Sequence, residues 1–151
     1  VIRRIAAFLA AAASMVVLGS AAHSILVQRA WSIAAGEAAG AGPAAIPLAD
    51  RIAWAVHDLG GMLLPYAAVT SLALLVAFLL AGWASRLSGR RALVFGLAGA
   101  CAILVLFTAM RMILGTVGIF GARGPIGLAA QMAAGAVAGL VFAGLASASG
   151  S

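Results

Sequence analysis

An all-α, polytopic membrane protein with four transmembrane helices is the fold class this sequence predicts, on three observations. Hydrophobic residues make up 66% of the 151-residue chain and charged residues only 8%, against about 25% charged in an ordinary soluble domain. Mean hydropathy is +1.22. Four apolar stretches each reach the roughly 20 residues that a helix needs to cross about 30 Å of hydrocarbon. None of them shows the strict alternation of a barrel strand.

The first span is expected over about 5–27. Arg3 and Arg4, the apolar run after them and the small residues Ser20-Ala21-Ala22 also fit a signal peptide with its cleavage site. Apolar character resumes at Ile25-Leu26-Val27 and ends on Gln28-Arg29-Ala30-Trp31, which favours an uncleaved span.

Residues 28–61 are expected to form the longest extramembrane stretch. "AAGEAAGAGPAA" is built of small residues with Gly and Pro and reads as loop. In "LADRIAWAVHDLGG", residues 48–61, Asp50 is a candidate N-cap, and Ile52, Val56 and Leu59 recur at near-helical spacing beside Trp54. Two readings fit: a short interfacial helix that bends at Gly60-Gly61 and Pro65, or a plain extension of the second span. The interfacial helix is the one adopted. The second span is placed at about 62–83, the third at 92–113 and the fourth at 126–146, all within one domain.

Charge sets the orientation. All nine basic residues are arginine, which with the abundance of Ala and Gly suggests a bacterial genome of high GC content. A cytoplasmic N-terminus puts Arg3, Arg4, Arg86, Arg90 and Arg91 inside, with no acid among them, as the positive-inside rule requires. The other side then receives Arg29, Arg51, Arg111 and Arg123 with Glu37, Asp50 and Asp58. Both termini fall in the cytoplasm, the membrane being the bacterial inner one. Trp31, Tyr66 and Trp83 fall near the expected interfaces, as belt aromatics do. A net charge of +6 with a pI near 11.7 could suggest nucleic acid. These arginines are scattered at span ends rather than clustered, so the expected partners are the bilayer and other membrane subunits or copies of the chain.

Lipid gives apolar helices little reason to associate, so close backbone approach matters. Gly127, Gln131, Gly135, Gly139 and Ala143 fall four apart on one stripe of the fourth span. Gly96, Gly99 and Ala100 give the third span a matching narrow face. These two spans are expected to pack together, although the stripe could equally serve a partner subunit.

The candidate polar cluster is His23, Gln28, Asp58, Arg111, Arg123 and Gln131, all on the outer side in this topology. Asp58 could pair with Arg123 or Arg111 to close the outer ends of the bundle. His23 and Gln131 could line a small polar pocket with an arginine, or simply satisfy neighbouring helix carbonyls, which is the preferred reading.

Known chemistries fit poorly. Haem needs facing axial ligands, whereas His23 and His57 are expected to differ in depth by roughly 10–15 Å at helical rise. Two isolated histidines do not make a transition-metal site. No Asp, Glu or Lys lies inside a span, against a carboxylate-driven pump. Cys101 stands alone, so no cysteine pair supports quinone-linked disulfide chemistry. Ser20 and His23 lack an oxyanion loop for hydrolysis. No catalytic residue, cofactor or metal is expected.

"HDLGG" at 57–61 and "GARG" at 121–124, with Gln131, Ala134-Gly135, Ala138-Gly139 and Phe142-Ala143, resemble small four-helix inner-membrane proteins of Gram-negative bacteria. The resemblance implies the membrane architecture and no activity. The expected function is that of a non-enzymatic accessory or structural subunit associating through small-residue helix faces. The alternatives are a small transporter or channel-like protein using the outer pocket and, further off, a haem- or quinone-associated electron-transfer subunit.

Overall fold

The computed structural model describes residues 2–115 and 124–147, in which four helices follow one another: α1 (Ile2–Ala38), α2 (Leu48–Ser88), α3 (Arg91–Leu114) and α4 (Pro125–Ser147). Each contains a segment long and apolar enough to cross a membrane. Their boundaries have local causes. Asp50 lies in the first turn of α2, and Arg86 and Arg111 lie in the last turns of α2 and α3, each complementing the helix dipole. Pro125 opens α4, where its missing N–H costs nothing. Gly89 ends α2 in the left-handed conformation (φ 66°), which a side chain would strain.

The helices alternate in direction, and each packs mainly on two neighbours: α1 on α2 and α4, α3 on α2 and α4. Levels along the bundle can be read from cross-helix contacts. Arg3 Nε donates to the Leu145 carbonyl (3.0 Å), and Gln131 Nε2 donates to the Gly19 carbonyl (2.9 Å). Counting along α1 from these contacts, Pro125 lies level with about residue 25.

The expected loop over 28–61 is helical except at residues 39–47. No separate interfacial helix precedes the second span: α2 runs from Leu48 through Gly60, Gly61 and Pro65 without a break. A proline inside a helix removes one backbone hydrogen bond, here to the Gly61 carbonyl, and the turns on either side carry the helix past it. The plain extension is therefore the reading that holds. At 1.5 Å per residue α1 and α2 are roughly 55 and 60 Å long, and α3 and α4 roughly 35 Å.

The excess forms an arm in which the end of α1 and the start of α2 run together beyond the ends of their partners. Trp31 and Trp54 meet edge to face across it, 5.5 Å apart. Gln28 Nε2 donates to the Arg51 carbonyl (2.9 Å) and contacts Ser24 Oγ (3.2 Å). Ser32 donates to the Ala44 carbonyl at the tip. Gly36 is pressed so closely on Gly42 and Pro43 that no side chain would fit.

The α3–α4 contact is the expected one. A Cβ on Gly99 would stand 2.0 Å from the Gly135 carbonyl oxygen, and one on Gly139 2.0 Å from that of Phe95. Gly96 is buried beside Leu140, and Gly127 is buried near the start of α4. The small-residue stripe is consumed inside the chain.

Candidate functional site

Two groups of side chains stand out, one in the third of the bundle nearest the arm and one at its arginine end. The first centres on Gln131, which is 0% exposed. Its Nε2 donates to the Gly19 carbonyl, and its Oε1 accepts from the Tyr66 hydroxyl at 2.5 Å. One side chain thus ties α4 to α1 and α2. Gly19 is required here: a Cβ would lie 1.8 Å from the Tyr66 oxygen and 2.8 Å from Gln131 Oε1. Thr70 donates to the Tyr66 carbonyl one turn on (2.7 Å), so its own hydroxyl is satisfied. The geometry suits a lock rather than a ligand pocket, since both ends of the Gln131 amide are engaged within the bundle.

The sequence-predicted cluster divides accordingly. Gln131 belongs to this lock. Gln28 sits in the separate network of the arm, roughly 13 Å along α1 from Gly19. His23 is half-buried between the two, and the Asp58 carboxylate is near enough to act on it electrostatically. Arg111 is exposed in the last turn of α3. Arg123 and the pairing proposed for it lie outside the described residues. His57 is exposed, and the α1–α2 register sets it roughly 8 Å from the level of His23, less than expected, because α2 does not bend before the span. Among the described residues no three of His, Cys, Asp and Glu gather within reach of one metal ion.

Tyr66 was expected at an interface; it is buried instead, as the hydroxyl partner of Gln131. Sequence reasoning missed it and Gly19, because their roles depend on which turns of three helices fall level.

The second group also escaped the sequence reading. Each helix contributes one phenylalanine: Phe8, Phe78, Phe95 and Phe142. Phe78 touches the other three at centroid distances of 6.4, 5.6 and 4.9 Å. Phe142 stacks on it, while Phe8 and Phe95 meet it edge-on. Above this cluster the Arg91 guanidinium lies 5.1 Å from the Phe95 ring centroid, a cation–π distance. A cavity of about 580 Å³ opens between them, with Arg4, Arg86 and Arg91 in its lining. A signal was present in the sequence: Phe8 and Phe95 each follow an arginine by four residues, one helical turn.

Comparison with protein-family models, with curated proteins and with solved structures gives no match. What the site can do is therefore argued from its geometry.

Proposed function

We propose that this chain is a non-enzymatic subunit of the bacterial inner membrane, with both termini in the cytoplasm, that positions another membrane protein through its α1–α2 arm. The observation that carries this reading is the arm itself. Two helices continue roughly 20 Å past the ends of their bundle partners, braced by the Trp31–Trp54 contact and the Gln28 hydrogen bonds. Along it Ile33, Ile52 and Val56 remain exposed.

Rigid apolar surface held away from a bundle is costly unless something covers it. The glycine stripe, for which a partner subunit was the alternative to α3, is occupied by α3 against α4, which leaves the arm as the surface for association. The polar side chains do not favour transport, because Gln131, Gln28 and Thr70 are bonded to helix groups rather than facing a common path. The resemblance to small four-helix inner-membrane proteins fits this placement.

The test is a photo-crosslinking residue at Val56, with a second at Leu72 on the outward face of the bundle as comparison, followed by native mass spectrometry from the chain's own host membrane. A single protein crosslinked from Val56 and present at fixed stoichiometry is expected. Lipid adducts alone from Val56, with a chain that purifies free of any partner, would contradict the reading.

A further inference from the structure

The arginine-end cavity has a construction that neither the lock nor the arm explains. It extends from Arg86 inward to Leu75 on α2, roughly 16 Å at helical rise. Its floor is apolar, with Phe8, Phe78, Phe95 and Phe142 joined by Leu75 and Leu79. Its mouth is cationic. Arg3, next to Arg4, is engaged with the Leu145 carbonyl, but Arg4, Arg86 and Arg91 line the opening. The Arg91 Nε is buried and makes no hydrogen bond.

No acidic side chain of the chain stands at this mouth. Its three acids, Glu37, Asp50 and Asp58, all sit on the arm, at the opposite end of α1 and α2. A buried guanidinium N–H without an acceptor is costly, and several arginines around one opening repel each other unless an anion joins them. The volume falls within the roughly 300–1,000 Å³ typical of ligand pockets.

We propose that this cavity binds an anionic amphiphile, a lipid whose phosphate headgroup lies among Arg4, Arg86 and Arg91 and whose chain lies against Phe78, Phe95 and Phe142. The headgroup oxygens accept from the guanidinium N–H groups that these three arginines turn to the opening. The acyl chain replaces water or loose packing over the phenylalanines. In the orientation that the arginines favour, this mouth faces the cytoplasmic leaflet, where anionic lipids supply such headgroups. The site does not depend on the arm or on any protein partner.

Gly82 allows a clean test. It lines the cavity, and a Cβ placed on it would meet nothing within 4 Å, so Gly82→Leu fills the cavity without altering charge. Purified protein in neutral detergent is titrated with palmitoyl-oleoyl phosphatidylglycerol, with the phosphatidylcholine of the same chains, and with inorganic phosphate, and bound species are counted by native mass spectrometry. One phosphatidylglycerol bound in preference to phosphatidylcholine is expected. Inorganic phosphate should neither bind comparably nor displace it. Arg86→Gln and Gly82→Leu should each weaken binding by about tenfold, the loss of one charge-assisted contact or of the chain's place. Arg29→Gln, the same charge change on the arm, should leave it unaltered. Equal weakening by Arg29→Gln and Arg86→Gln, undiminished binding to Gly82→Leu, equal binding of the two lipids, or displacement by inorganic phosphate would each overturn the proposal. Arg86 and Gly82 are both away from close helix contacts, so the test does not hang on Arg91, whose removal could disturb packing on Phe95.

Discussion

The Tyr66 hydroxyl on α2 donates to Oε1 of Gln131 on α4, at the turn of α1 where Gly19 leaves room for both. Three helices are thereby held at one level by two side chains and the absence of a third. If this contact sets their register, Tyr66→Phe and Gln131→Leu must be coupled. Interhelical hydrogen bonds within lipid average about 0.6 kcal/mol and reach about 1.7. A double-mutant cycle, measured by reversible unfolding in mixed micelles, is expected to return a coupling energy within that range. Strict additivity would mean that the hydrogen bond contributes nothing.

Gly139 and Gly144 lie on the same helix and predict opposite outcomes. A methyl on Gly139 would meet the Phe95 carbonyl at 2.0 Å, a backbone group that can yield only by moving α3, whereas one on Gly144 meets nothing within 4 Å. Gly139→Ala should therefore cost about 1–3 kcal/mol as overpacking. Gly144→Ala should stabilise the helix by about 0.5–1 kcal/mol. The same unfolding measurement compares the two, and equal effects would dissolve the argument for a specific α3–α4 seam.

The arm should be separable from the bundle. Trp31→Ala removes an edge-to-face pair worth about 0.5–1.5 kcal/mol beyond its buried area. Hydrogen exchange should quicken over residues 29–38 and 48–58, while α3 and α4 keep their protection, since neither reaches the Trp31–Trp54 contact. A uniform loss of protection would show that the arm and the bundle unfold as one unit.

Orientation is open to a direct comparison. With the arginine end in the cytoplasm, a phosphatase fused at Ala45, between α1 and α2, should be active, and one fused after the fourth helix inactive. The reverse pattern would place the arm in the cytoplasm and remove the argument that the cavity mouth meets the anionic leaflet.

Local properties of the sequence carried much of this fold. Span length and hydropathy add residue by residue, so all four helices were legible, and a four-residue period put Gly135, Gly139 and Gln131 on one face whose glycines do meet α3. The arm was harder to read, because Gly60, Gly61 and Pro65 look like a break, while packing of α2 along α1 carries the helix through them. Most of the site was illegible for a single reason. Tyr66 with Gln131, Trp31 with Trp54 and the phenylalanine cluster each require the relative level of two or more helices, which no one segment encodes. Taken singly, Tyr66, Trp31 and Trp54 look like interfacial aromatics.

The claim on which the rest depends is that these helices stand in a bilayer with their outward faces against lipid. Cys101 provides the probe without mutagenesis: it is the chain's sole cysteine, it is exposed, and it lies near the middle of α3. A nitroxide attached there, in protein reconstituted into vesicles, reports collision with dissolved oxygen and with a water-soluble nickel chelate. Collision with oxygen far exceeding collision with the chelate, at a depth near the bilayer centre, is the predicted result. Free access of the chelate to Cys101 would contradict it.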